Sequence, residues 1–308
     1  MPVEMDGSIV DVPGVRVGHA HDSDARTGCT VVLFDDAGAV CGVDVRGSAP
    51  GTRETDLLAP TAHVEGVHAV LLAGGSAFGL DAAGGVMAEL EARGIGYAVG
   101  PWRVPLVPTA VIFDLFTGDG TRRPDRAMGA AAVRAATRER PAEGRAGVGM
   151  GALVAKLGGL ERARPGGVGT ASLRYGEAVV GALAVCNAVG NVYDPASGEL
   201  IAGPSGPESF DVVAALAQPP SVAPGAHTTL AVVATNARLT KAEAQKLAQM
   251  AHDGLARAVV PAHLTRDGDT IFACSVGDVD LPLDLIGVLA ADATARAIAR
   301  GVRAAASL

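Results

Sequence analysis

The fold is decided by the stretch Gly225-Ala226-His227-Thr228-Thr229-Leu230-Ala231-Val232-Val233-Ala234-Thr235-Asn236-Ala237. A proline-rich segment, residues 218–224, precedes it, and an apolar run typical of a buried strand follows the two threonines. We therefore expect a buried strand that begins near Thr228. Because threonine favours strands and the edges of turns, an ordinary strand start explains the pattern without any chemical role.

The same two threonines also admit a chemical interpretation. A break between His227 and Thr228 would leave Thr228 with a side-chain hydroxyl and a free α-amine. Such an amine can act as the base for its own hydroxyl, because its reference pKa of about 7.7 to 8.0 leaves a useful fraction uncharged at neutral pH. One residue would then supply both the nucleophile and the base.

Three parts of the chain carry a resemblance to a known family, namely residues 228–241, 249–258 and 267–273. With them, the sequence resembles the L-aminopeptidase/D-alanine-esterase family, which includes the β-peptidyl aminopeptidases. The resemblance extends from about Gly14 to the last predicted helix. Members of that family are similar in mechanism to N-terminal nucleophile hydrolases, in which autoproteolysis frees a serine or threonine.

The resemblance implies an α/β fold, a four-layer αββα sandwich in which helices flank two stacked sheets. It implies self-cleavage at His227-Thr228, which would divide a single domain into residues 1–227 and residues 228–308. The mature protein would cleave small N-terminal residues from peptides, amides or esters through an acyl-Thr228 intermediate. The family also implies a small peptide or amide as substrate, no cofactor, and a homo-oligomer, in particular a tetramer.

Further site residues follow from the same resemblance. The oxyanion donor falls on Asn187, with Asn191 as its rival; an asparagine at either place is also an ordinary turn residue. A side-chain amide at a strand end can stabilise the oxyanion of acyl transfer. Family members have a hydroxyl residue and an acid two positions apart, where this chain has Asp267 and Asp269. Of these, Asp269 would hold the ammonium group of Thr228.

The resemblance also implies three substrate-binding residues, and at one further position the chain departs from the family. Phe113 stands where some family members use a tyrosine, and it lacks the hydroxyl. Gly167 and Gly169 lie in a glycine-rich segment that the family places near the substrate pocket, although tight turns explain it equally well. His227 stands where the family has asparagine or glycine. Its imidazole could assist the acyl shift or its bulk could slow it, so a precursor that stays uncut is an open alternative.

The composition narrows the class of protein. Lys plus Arg total 25 and Asp plus Glu total 33, and the resulting net charge of -8 argues against nucleic acid or an anionic membrane as a partner. The first residues resemble no signal peptide and no apolar run is long enough to span a membrane, so we expect a cytoplasmic protein. The cysteines and histidines show no metal-ligand spacing. With aromatic residues at 3%, the core must be mainly aliphatic.

Local patterns predict several elements. Two strand-like runs, residues 30–34 and 39–45, surround an Asp-Ala-Gly turn and predict a hairpin. Alanine-rich helices are expected over residues 124–140 and 284–306. Lys156 lies between glycine-rich segments, but the order of glycine and lysine is wrong for a phosphate-binding loop, and no role is assigned to it.

A further helix is predicted from its start signal. Thr240 and Glu243 have the spacing of a capping box, and an apolar stripe follows them. His252 and Asp253 lie off that stripe, so we expect a solvated or capping pair rather than a catalytic dyad.

Two other classes of function are compatible with the same residues. An acyltransferase of the ornithine acetyltransferase type also uses a self-liberated threonine, and it would pass the acyl group to an amine in preference to water. An uncut, non-catalytic protein that binds small molecules would keep the fold without the chemistry.

Overall fold

The computed structural model describes residues 7–35, 37–206, 211–218 and 227–307. Most of the proline-rich segment that precedes His227 therefore lies outside the described residues. The helices are α1 Ala82–Ala92, α2 Arg126–Ala135, α3 Val212–Leu216, α4 Lys241–Ala258 and α5 Leu283–Ala306. The strands are β1 Arg16–Asp22, β2 Thr27–Leu33, β3 Ala39–Val45, β4 Thr52–Arg53, β5 Gly66–Val67, β6 Ala69–Ala73, β7 Tyr97–Val99, β8 Trp102–Val104, β9 Thr109–Val111, β10 Leu153–Val154, β11 Arg164–Pro165, β12 Gly167–Tyr175, β13 Ala178–Asn187, β14 Asn191–Tyr193, β15 Leu200–Ala202, β16 Thr228–Ala237, β17 Val259–Val260 and β18 Thr270–Val279.

Two large sheets form the centre of the molecule. The first has five strands in the order β1-β2-β6-β9-β4, and the second has six in the order β12-β13-β16-β18-β3-β5. Strand β16, which begins at Thr228 as the sequence predicts, lies inside the second sheet. It pairs antiparallel with β13 and parallel with β18. Strand β13 therefore ends beside Thr228, and β18 begins beside Leu230, two residues further along β16.

Three apolar clusters show how the layers stack. One lies between α1, α2 and the first sheet and includes Val86 and Leu71. The second lies between the two sheets and includes Phe272. The third lies between the second sheet and α4 and α5, and includes Leu247 and Ile298. The order is therefore helices, sheet, sheet, helices, which confirms the predicted four-layer αββα sandwich with a mainly aliphatic core.

Small residues let these layers approach closely. A Cβ atom on Gly254 of α4 would lie 1.9 Å from the carbonyl oxygen of Ala291 in α5. Gly169 and Gly167, expected near the substrate pocket, meet α5 in the same way, because a Cβ there would lie 2.2 and 2.5 Å from its carbonyl oxygens. Both glycines therefore serve helix packing in this structure, and their role in substrate binding stays a prediction.

The predicted hairpin is wrong. Strand β2 pairs with β1 and β6 in the first sheet, whereas β3 pairs with β18 and β5 in the second. Residues between them therefore cross from one sheet to the other instead of forming a hairpin turn. Every residue of β2 is buried. Such a strand is stabilised more by neighbouring strands on both edges and by cover on both faces than by pairing with the nearest strand in sequence.

Helix α4 begins as predicted, but one of its side chains is not where the sequence placed it. The side chain of Thr240 accepts from the N–H of Glu243, and the reciprocal bond of the capping box is also present. His252 is buried, with 1% of its surface exposed. Its Nε2 lies 3.1 Å from the carbonyl oxygen of Asp44, at the end of β3. The expectation of a solvated His252 is therefore wrong, because β3 covers that face of the helix.

Helix α2 is shorter than the predicted 124–140 and begins after Asp125, whose side chain accepts from the N–H of Met128 at 2.9 Å. The last helix agrees closely with its predicted range. Among the described residues, no helix is long and apolar enough to cross a membrane.

Candidate active site

The site lies where three strand ends meet in the second sheet. Thr228 is the first residue of β16, and its partner across the sheet is Asn187, the last residue of β13. On the other side, His227 forms an isolated parallel bridge with Asp267, just ahead of β18. The register therefore brings Thr228, Asn187 and Asp267 together, three of the residues that the sequence selected.

The bond between His227 and Thr228 is buried. Both residues expose 3% of their surface or less. The hydroxyl of Thr228 donates to the carbonyl oxygen of His227 at 2.7 Å, and the N–H of Gly268 donates to the same oxygen at 2.8 Å. The carbonyl group of His227 is thus polarised next to a hydroxyl that could attack its carbon.

Asp269 accepts from two main-chain N–H groups and lies beside the ring of His263. The N–H of Thr229 donates to its Oδ1 at 2.7 Å. Its Oδ2 accepts from the main-chain N–H of His263 at 3.1 Å and lies 2.8 Å from His263 Nδ1, which donates when it carries the ring proton. His263 has a φ of 58°, a left-handed conformation that few non-glycine residues adopt. Asp269 therefore lies fixed beside the residue that follows Thr228.

Asp267 is the less satisfied carboxylate. Its Oδ2 accepts from the N–H of Leu264 at 2.8 Å, and its Oδ1 is buried without a hydrogen-bond partner among the described residues. Burial, followed by the charge of Asp269, raises the pKa of Asp267 to about 7. A carboxyl group in this state can accept or release a proton near neutral pH.

Lys156 is a site residue to which the sequence assigned no role. Its side chain is buried, and Nζ donates to the main-chain oxygen of Asn187 at 2.7 Å and to Oδ1 of the same residue at 3.1 Å. Burial lowers the pKa of Lys156 to about 7, although the charges of Cys186 and Asp267 oppose the shift. A neutral amine, and hence a base, is therefore accessible at neutral pH.

Asn187 is fixed from several directions. Its Oδ1 also accepts from the N–H of Leu153 at 2.9 Å, and its Nδ2 donates to the carbonyl oxygen of Phe113 at 3.0 Å. Asn191, the rival, lies in β14, which pairs with β15 and β17 outside the second sheet. The geometry thus puts Asn187, and not Asn191, directly opposite Thr228.

Phe113 reaches the site through its main chain, as the preceding contact with Asn187 shows. The next residue, Asp114, anchors this segment by accepting from the N–H of Gly75 and the hydroxyl of Thr27, each at 2.7 Å. The ring of Phe113 packs on that of Phe116, with ring centroids 4.9 Å apart. The missing tyrosine hydroxyl is therefore not replaced by this ring, and the residue contributes a carbonyl oxygen.

The imidazole of His227 is uncharged in this environment. Burial, together with the positive charges of Lys156 and Arg266, lowers the pKa of His227 to about 3. Its Nδ1 is buried and has no hydrogen-bond partner among the described residues. Because the ring is neutral, it adds no positive charge that would lower the pKa of Lys156 further.

A surface pocket of about 620 Å³ lies elsewhere. Its lining includes Arg238, Leu239 and Lys241, which follow the far end of β16. A strand of ten residues spans roughly 30 Å. This pocket is therefore remote from Thr228, and the strand ends described above are the better candidate for chemistry.

Known proteins resemble this chain over nearly its whole length. The sequence profile of Peptidase family S58 matches residues 7–308. An uncharacterized aminopeptidase of Mycobacterium leprae is 42% identical over 333 residues, which cover 98% of this chain and 91% of that protein. A 6-aminohexanoate-oligomer endohydrolase of Kocuria sp. is 35% identical over 280 residues, covering 88% of this chain and 76% of the relative.

A solved structure shares the fold. It is the L-aminopeptidase D-Ala-esterase/amidase of Ochrobactrum anthropi, described as a variant of the Ntn hydrolase fold, with a TM-score of 0.71 and 18% identity. The superposition covers 99% of this chain and 88% of that one. At this identity the likeness concerns the fold alone, and it agrees with the four layers found here.

Proposed function

This chain belongs to peptidase family S58, and from that premise we propose that it is a self-processing N-terminal threonine hydrolase. Membership of the family, together with the matched aminopeptidases, supports a hydrolase that acts on peptide bonds. The observation that carries the finer proposal is the geometry at the His227-Thr228 bond, where the carbonyl oxygen of His227 accepts from both the Thr228 hydroxyl and the Gly268 N–H.

Self-processing would proceed by an N-to-O acyl shift. The Oγ1 of Thr228 attacks the carbonyl carbon of His227, a C–O bond forms, and the C–N bond to Thr228 breaks. The hydroxyl proton ends on the departing nitrogen, and water then hydrolyses the ester to a carboxylate and a free hydroxyl. Lys156 is the base that we assign to the hydroxyl, because its Nζ is bonded to Asn187, the residue paired with Thr228, and its lowered pKa keeps part of it neutral at pH 7.

Turnover would use the same hydroxyl on an external amide. The freed α-amine of Thr228 takes the hydroxyl proton and returns it to the leaving amine, and the acyl group rests on the hydroxyl until water removes it. Asn187, opposite Thr228, is the oxyanion donor in this scheme. Asp269 holds the ammonium form of the α-amine, and the charge of Asp267 raises the pKa of Lys156 against the effect of burial.

The substrate is proposed to be a small peptide or amide with a free amino end. The named relatives differ in this respect, because one is called an aminopeptidase and another an endohydrolase of 6-aminohexanoate oligomers. An assay should therefore offer both short α-peptide amides and oligomers of an ω-amino acid. A homo-oligomer and a cytoplasmic location remain proposals.

Intact mass under denaturing conditions is the first test. Cleavage before Thr228 divides the 30.7 kDa chain into pieces of about 23 and 8 kDa, the smaller of which begins at Thr228. Thr228→Ala should stay whole and lack activity, and Thr228→Ser, which keeps a hydroxyl, should still cleave. A wild-type chain that remains whole after long incubation would overturn the proposal.

The acyltransferase and uncut binding-protein alternatives are not favoured, since the matched family is a peptidase family. A competition assay measures the first directly. If an added amine such as ornithine captures the acyl group faster than water does, transfer rather than hydrolysis is the main reaction.

A further inference from the structure

The N–H group of Gly268 points at the oxygen atom on which negative charge would develop during self-cleavage. It donates to the carbonyl oxygen of His227 at 2.8 Å. This bond continues the parallel pairing of β16 with β18, which begins at Leu230 and Thr270, through the bridge between His227 and Asp267. Its geometry is therefore set by the register of a buried sheet.

The turn that carries this N–H is fixed from its other side. The N–H groups of Arg46 and Gly47 donate to the carbonyl oxygen of Asp269 at 3.0 and 3.1 Å, and that of Ala49 donates to the carbonyl oxygen of Asp267 at 2.8 Å. Three main-chain bonds thus clamp the residues on both sides of Gly268. A donor fixed in this way needs no reorganisation when charge develops, which is the condition for strong oxyanion stabilisation.

Space, and not backbone conformation, requires glycine at this position. The φ of Gly268 lies outside the left-handed region, so an alanine could adopt it. A Cβ atom there would lie 2.7 Å from Oγ1 of Thr228 and 2.8 Å from the carbonyl oxygen of Ala49. Any side chain at 268 would therefore displace the attacking hydroxyl or the clamping loop.

We propose that the main-chain N–H of Gly268 is the oxyanion donor of the self-cleavage step, and that residue 268 must be glycine for the Thr228 hydroxyl to reach the carbonyl carbon of His227. This inference rests on the proposed self-processing. As Oγ1 of Thr228 bonds to that carbon, the carbonyl electron pair moves onto the oxygen, which keeps the Gly268 bond. When the C–N bond breaks, the carbonyl re-forms as an ester and the proton from Oγ1 lies on the new amine.

In the uncut chain the side chain of Asn187 makes a different contact. Its Nδ2 donates to Phe113, whereas the oxygen of the scissile bond receives Gly268. Loss of the Gly268 geometry should therefore slow maturation of the chain itself. Removal of one oxyanion donor slows acyl transfer by about 10²-fold to 10³-fold in comparable sites.

The test is the rate at which the 8 kDa fragment appears, followed by intact mass, for wild type, Gly268→Ala and Gly66→Ala. A Cβ at Gly66 would make only ordinary contacts, the nearest at 3.6 Å, so this control should cleave at the wild-type rate. We expect Gly268→Ala to cleave about 10²-fold more slowly, because its Cβ would displace the Thr228 hydroxyl or the clamping loop. Equal rates for Gly268→Ala and wild type would overturn the inference while leaving self-processing intact. A wild type that never cleaves would instead overturn the proposed function.

A second measurement covers the case in which Gly268→Ala fails to fold. In uncut Thr228→Ala protein, hydrogen exchange followed by NMR should show the amide of Gly268 strongly protected, because its partner, the His227 oxygen, remains in place. An amide that exchanges as fast as an exposed loop would refute the bond and with it the inference.

Discussion

Replacing Lys156 with methionine should change the pH dependence of stability in a defined way. The pKa of Lys156 falls from 10.5 to about 7 on burial. Above pH 10.5 the lysine is neutral in both states, and below about 7 it is protonated in both. Between these limits only the unfolded chain carries the proton, so the folded state loses stability as the pH falls toward 7. At about 1.4 kcal/mol per pH unit, the whole effect amounts to about 5 kcal/mol.

The assay is urea denaturation of Thr228→Ala with and without Lys156→Met, so that both chains stay whole. From pH 9.5 to 7.5, the lysine protein should lose about 2.5 kcal/mol relative to the methionine protein. The lost hydrogen bonds to Asn187 shift the methionine protein by an amount that does not depend on pH. Lys246→Met, an exposed position, controls for the loss of a positive charge. A stability difference that stays constant between pH 7.5 and 9.5 would refute the burial of an amine with a lowered pKa.

Three further changes have separate expected outcomes. Lys241→Met should lower the free energy of unfolding by about 3 kcal/mol, measured in urea, because the Nζ of Lys241 donates to three carbonyl oxygens of the 57–64 loop at 2.9 to 3.0 Å. Gly254→Ala should cost about 1 to 3 kcal/mol and lower the melting temperature, because its Cβ would meet α5; below melting, self-cleavage should keep its rate. His263→Ala should lower kcat more than it changes KM, since Asp269 loses its ring donor; an unchanged kcat would contradict this.

The layered fold was predictable because its signals are local or come from resemblance. The apolar run after Thr228 and the capping box at Thr240 both form from residues close in sequence. The pairing of β2 and β3 was not predictable in that way. A turn signal shows that the chain changes direction, but the partner of each strand is decided by which buried faces meet, and those lie far apart in sequence.

The same distinction separates the site residues that the sequence predicts from those that it does not. Thr228, Asn187, Asp267 and Asp269 were selected from a resemblance, and the register of three strands places them or their neighbours together. The sequence does not predict a role for Lys156, because its lowered pKa results from burial by distant segments, which one lysine between glycines does not reveal. The burial of His252 is not predicted for a related reason, since β3 covers a face of α4 that the helical stripe alone leaves open.

The position of β16 and β18 in the second sheet has a consequence for a chain cut before Thr228. Both strands would belong to the short piece, yet they lie between β13 and β3 of the long piece. The two pieces would therefore stay interleaved, since separation requires opening the sheet at two seams. Once unfolded, however, they could regain the structure only by meeting again. Refolding would then depend on protein concentration. Although the protein first folds as one chain, after the cut it would stay folded because of the kinetic barrier to unfolding.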